Sequence, residues 1–163
     1  YTHAATWVIW ALGLSGNGTH AFSLYQMLNP LVHSSSREVL ECYNVEPYVV
    51  VADIYTADQH LGRGGWTWYT GSASWYYRTG LEAILGFTKH GDRLTMNPCI
   101  PAVWDGFTIE YVYKSATYSI EVRNPSHVER GVKSVTVDGA SVADGVIQLI
   151  DDAAHHAVVV EMG

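Results

Sequence analysis

The residues with the clearest capacity for chemistry lie in one stretch, Arg63-Gly-Gly-Trp-Thr-Trp-Tyr-Thr-Gly-Ser-Ala-Ser-Trp75. Gly64 and Gly65 let the backbone turn where a side chain would clash, and they present Trp66, Trp68 and Tyr69, whose flat faces suit stacking on a sugar ring. Thr70-Gly71-Ser72 then opens a helical pattern in which Ala73, Tyr77, Gly80, Leu81 and Ile84 share one face. A Thr or Ser at a helix start can cap free N–H groups, and a Gly there lets a ligand approach the main chain. Free N–H groups and the helix dipole favour an anion, phosphate above all. Aromatic walls leading to such a helix start predict a place where a sugar meets a phosphate. The same residues also fit an ordinary Gly-rich turn before a helix with aromatics packed into a core.

The elements that must position this stretch follow from patterning. Thr6–Leu14 is apolar almost all round, so it predicts a helix buried on most sides. Ser15-Gly-Asn-Gly18 breaks it, and Ala21, Leu24, Tyr25, Leu28 and Val32 mark a second helical face, interrupted at Asn29-Pro30, giving an αα-hairpin. Residues 37–45 are ambiguous. Glu46-Pro-Tyr-Val-Val-Val51 reads as extended, because Pro47 disfavours helix before it and three valines follow. Asp53–Gly65 has no clean period and reads as a long loop over a site, continuing irregularly to about residue 69. The third helix runs from Thr70 or Gly71 to about Phe87, with a stop at Lys89-His-Gly91. Beyond it the period becomes two: Phe107–Tyr113 and Thr117–Val122 form a hairpin, and three further short strands follow. The fold class is therefore α+β, helical over residues 1–90 and antiparallel β over 91–163. Three helices cannot bury Thr6–Leu14 unaided, so the helical part is expected to belong to a larger helical body and to leave apolar surface exposed here.

Composition narrows the function. The chain has 163 residues, 48% apolar and 15% charged, which fits a globular domain with a real core. A net charge of −7 with no basic run argues against nucleic acid as a partner. Cys42 and Cys99 make neither a disulfide framework nor metal-ligand spacing, so reduced thiols and no metal are expected. Thr6–Leu14 is too short to span a bilayer, and no cleavable leader is visible.

Several blocks together, Tyr1-Thr-His-Ala-Ala, Glu46-Pro-Tyr-Val-Val, Gly62-Arg-Gly-Gly-Trp-Thr-Trp-Tyr-Thr-Gly-Ser-Ala73, Asn97-Pro-Cys-Ile-Pro101 and Trp104-Asp-Gly-Phe107, resemble glycoside hydrolase family 94. That family holds cellobiose and chitobiose phosphorylases and the phosphorylase-like C-terminal region of cyclic β-1,2-glucan synthases, and the Gly-Arg-Gly-Gly-Trp version is most similar to the last. The resemblance implies the tail of an (α/α)6 barrel to about residue 90, followed by a β-structured extension. It implies inverting phosphorolysis of a β-glucoside to α-glucose 1-phosphate, with inorganic phosphate as co-substrate and no other cofactor. An inverting hydrolase needs two carboxyl groups, whereas phosphate is itself an anionic nucleophile and can replace the base.

By the resemblance, His3, Thr70 and Gly71 are phosphate ligands, with Ser72 a further donor. Glu46, Arg63, Trp66 and Trp68 line the sugar site. The family's general acid, an aspartate, belongs to a segment upstream of Tyr1, so no catalytic residue is expected in these 163 residues and the piece alone should be inactive. The implied partners are a β-glucan or oligosaccharide, phosphate and the remaining catalytic portion, with a homodimer open for the whole enzyme. The implied location is cytoplasmic, or the cytoplasmic part of an inner-membrane protein. The competing expectation is a non-catalytic carbohydrate-binding module, which would bind glycan without regard to phosphate. A purely structural subunit would bury Trp66 and Trp68, and a hydrolase would need a placed carboxylate pair that the local sequence does not offer.

Overall fold

A computed structural model describes residues 1–163. Helix α1 (Thr2–Leu14) and helix α2 (Gly18–Met27) form the expected hairpin. Their partner is α4 (Thr70–Arg78), which runs on into a π-helical turn at Thr79–Ile84. Contact here is close: a Cβ on Gly13 would lie 2.7 Å from the Ala83 carbonyl oxygen, so only glycine lets α1 approach that turn. The ambiguous segment is helix α3 (Arg37–Tyr43), which the Ser36 hydroxyl caps by accepting from Val39 N–H. Asn44, left-handed at φ 51°, ends it.

Three boundaries differ from the sequence expectation. Glu46–Val51 forms no strand; it turns at Pro47-Tyr48, and its carbonyls and amides serve the neighbouring loop instead. Val50 O accepts from Tyr69 N–H, and Ala52 N–H donates to Gly65 O. The last helix stops at Ile84, well before Lys89-His-Gly91. The stop is Gly86, whose φ of +73° and closeness to the Asn97 carbonyl admit no side chain. Residues 87–90 are already strand β3 (Phe87–His90), paired with β4 (Arg93–Met96) around Gly91. Thr70 is the first helical residue of α4 and not its cap; Tyr69 holds the cap position, and no side chain closes that end.

Over residues 53–69 the chain is irregular, as expected. It contains a two-residue ladder of β1 (Asp53–Ile54) with β2 (Gly64–Gly65) and one 3-10 turn at Asp58–His60.

The remaining strands are β5 (Gly106–Tyr113), β6 (Ala116–Arg123), β7 (Val132–Val137), β8 (Ala140–Ser141), β9 (Val146–Gln148) and β10 (His155–Met162). They make a five-stranded sheet in the order β5-β6-β10-β7-β8, and β9 joins β3 and β4 in a three-stranded sheet. The expectation of an all-antiparallel region is corrected here: β10 runs parallel to β6, with Val158 opposite Ile120. Alternation reports which face of a strand is buried and carries no sign of direction. A parallel pair needs a long crossover, and the excursion from Asn124 to Ala154 through β7, β8 and β9 supplies it.

One core serves both regions. Ile9, Ala21 and Ile84 from the helices pack with Leu94, Ile120, Val135, Ile147 and Val158 from the strands. Gly18 abuts Ile100, where an added Cβ would lie 2.2 Å from the carbonyl oxygen. The outer side of α1 has no such cover: Trp7, Val8 and Leu14 are all more than half exposed. Cys42 is exposed and Cys99 buried, both as free thiols.

Candidate functional site

Packing of α1 against α4 brings the start of α1 to the first turn of α4. The His3 ring lies 5.8 Å from Trp75 and 5.2 Å from Trp7, centroid to centroid. The Tyr1 and Tyr69 hydroxyls are 2.9 Å apart, and this hydrogen bond, with burial behind it, raises the Tyr1 phenol above its ordinary range. Thr2 N–H donates to Ala52 O at 2.8 Å, pinning the start of α1 beside the loop that leads into α4.

Four predicted phosphate ligands thus sit on two neighbouring helix starts, with distinct environments. Thr70 and Gly71 are exposed, and a Cβ added to Gly71 would meet nothing within 4 Å. Ser72 is fully buried and its hydroxyl has no partner; His3 Nε2 is likewise shut off and unpartnered. The chain holds three such side-chain atoms, the third being the Tyr43 hydroxyl. Buried polar atoms normally find partners, so two orphans next to one open helix start call for an explanation. No acidic residue occupies the first turn of α4, which leaves its free N–H groups and dipole unopposed.

A second group lies on the preceding loop. Trp68 Nε1 donates to Glu46 Oε1 at 3.0 Å, and Tyr48 meets the Trp68 ring edge-on at 6.0 Å. Glu46 and Trp68 therefore come together, and Tyr48 joins them although sequence reasoning did not single it out. Trp66 and Trp68 are left-handed, with φ of 55° and 61°. Bulky residues avoid that region, at a cost of about 1–3 kcal/mol each. On this backbone both rings stand outward: Trp66 is 79% and Trp68 60% exposed. Arg63 and Trp66 face a different part of the surface, a cleft of about 510 Å³ that also includes Tyr55 and His60. Gly65 floors it, because a Cβ there would strike the Tyr55 hydroxyl at 2.2 Å. Beneath the floor, burial pushes the Tyr43 phenol up to about 12.

A model of the glycosyl hydrolase 94 superfamily, catalytic domain, matches residues 1–86, more than half of the chain. The chain belongs to this superfamily. The matched span takes in α1 to α4 and hence every site residue named above. Among curated relatives, the cyclic β-(1,2)-glucan synthase NdvB of Rhizobium meliloti is 47% identical over 135 residues, 83% of this chain. An N,N'-diacetylchitobiose phosphorylase of Vibrio furnissii is 37% identical over 87% of the chain, and a solabiose phosphorylase of Paenibacillus borealis 31% over 99%. The chain spans only 5%, 18% and 21% of the lengths of these three relatives, respectively. No helix is long and apolar enough to cross a membrane.

Proposed function

We propose that this chain supplies the phosphate- and sugar-binding part of an inverting β-glucoside phosphorylase. The observation that carries the reading is the α4 start: an open Gly71 edge beside two buried, unpartnered polar atoms, His3 Nε2 and Ser72 Oγ. Phosphate lies against the Gly71 and Ser72 N–H groups and the Thr70 hydroxyl donates to it; the His3 and Ser72 side chains, shut off from solvent here, complete the shell once they rotate toward it. A phosphate oxygen attacks the anomeric carbon from the face opposite the leaving sugar. The C–O bond to that sugar breaks, and its oxygen takes a proton from a carboxylic acid outside residues 1–163. Inversion yields α-glucose 1-phosphate and a shortened glycan. Glu46 and Trp68 hold the sugar next to this centre, the carboxylate accepting from hydroxyls and the indole packing on the ring. The 47% identity to a cyclic β-(1,2)-glucan synthase supports a β-1,2-glucan as the glycan.

The test is phosphorolysis by the complete enzyme with β-1,2-glucooligosaccharides, following sugar phosphate and its anomeric form by NMR. Ser72→Ala removes a hydroxyl with no partner in the fold, so thermal stability should hold while the phosphate KM rises. Equal glycan cleavage with and without phosphate would refute the assignment.

A further inference from the structure

The cleft beside Trp66 does not end at Arg63. It shares Asn44, Val45 and Thr67 with a second hollow of about 600 Å³ that reaches Glu46 and Glu41. The two together form one polar trough leading from the Glu46–Trp68 pair to the exposed Trp66 ring. Its outer end has the components of a glycan subsite. The Trp66 face is open to solvent, on a left-handed backbone. Arg63 forms no ion pair with any carboxylate of the chain, so its guanidinium is free to donate to hydroxyls. His60 and Asn44 add polar groups along the wall.

We propose that this trough binds the sugar units of a β-linked glucan chain beyond the two joined by the bond that breaks, with Trp66 as stacking platform and Arg63 as hydrogen-bond donor. The inference rests on the sugar-site reading of Glu46 and Trp68, because that pair sets where the trough begins. It assigns Trp66 and Arg63 to the choice between long and short glycans, apart from the handling of phosphate. A neutral glycan fits better than an anionic one, since Glu41 and Glu46 line the same trough.

The experiment compares kcat/KM for a β-1,2-linked pentasaccharide with that for the disaccharide, at saturating phosphate, in the complete enzyme and its Trp66 variants. Trp66→Ala should lower the pentasaccharide-to-disaccharide ratio by about tenfold, the scale of one lost aromatic stacking contact. Trp66→Gly should do the same while relieving the left-handed strain, so a loss caused by a misfolded loop is told apart. Calorimetric titration of both sugars without phosphate gives the ratio of Kd values independently of turnover. A pentasaccharide-to-disaccharide Kd ratio that rises in the variants, in an enzyme lacking phosphorolysis, would keep the trough and sink the phosphorylase reading. A ratio unchanged in both variants, by kinetics and by calorimetry, would overturn the trough.

Discussion

Replacing Gly71 by alanine separates a ligand role from a packing role, because the fold itself has no objection to the added methyl. The new Cβ would meet nothing within 4 Å, and Gly71 does not have a positive φ. Gly71 lies one residue inside α4, where exchange of glycine for alanine stabilises a helix by up to about 1 kcal/mol. Thermal stability should therefore stay level or rise slightly. Phosphate seated on the Gly71 and Ser72 amides would be pushed away by the methyl. Losing one charge-assisted hydrogen bond amounts to about 1.5–3 kcal/mol, which is roughly 10- to 150-fold in phosphate affinity. Initial rates against phosphate, repeated with arsenate, read this directly, and a thermal melt of the same preparation reads the stability. The bulkier Gly71→Val should raise the phosphate KM further. A phosphate KM within twofold of the parent in both variants would refute the anion site, since nothing else at Gly71 is poised to absorb the change.

Three further variants probe the β region and the junction that leads into it. His156 is clamped by Asp138 at 2.8 Å and Asp152 at 3.2 Å, and stacks on Tyr118. The Asp138 hydrogen bond, opposed by desolvation and helped by Asp152, raises its pKa, so the stability it adds is complete below the ordinary histidine value near 6.5 and lost as pH rises through the folded value. Asp138, held down chiefly by the His156 hydrogen bond, and Asp152, chiefly by the Ala154 N–H, lose their contribution as pH falls through their lowered values. The Tm difference between the parent and His156→Gln should thus peak between about pH 4 and 6.5 and shrink on both sides; a flat difference would contradict the clamp. Gly86→Ala should lower stability by at least 2 kcal/mol (~2–4), because a left-handed alanine is added to a contact 2.1 Å from the Asn97 carbonyl carbon. Gly139→Ala, also left-handed but with nothing within 4 Å, should lose only about 1–2 kcal/mol in the same denaturant titration.

Much of this was legible along the chain because it depends on local rules. Helical spacing located α1, α2 and α4, and alternation in Phe107–Tyr113 and Thr117–Val122 located β5 and β6. The Gly-rich aromatic stretch and the Glu-Pro-Tyr block pointed to the superfamily that residues 1–86 match. What the local rules could not contain is anything set by distant partners. Gly86 ends the helix because Asn97 crowds it from across a turn, whereas Lys89-His-Gly91 carries the ordinary stop composition and is a hairpin. The direction of β10 beside β6 follows from the path through three intervening strands, to which a period of two is blind. Trp66 and Trp68 look alike in sequence, two residues apart. Both have left-handed backbones, but the hydrogen bond to Glu46 holds Trp68 while Trp66 lines the cleft beside Arg63. His3 and Ser72 are 69 positions apart in the chain, and only the packing of α1 on α4 brings together two helix starts that each carry an unpartnered polar atom.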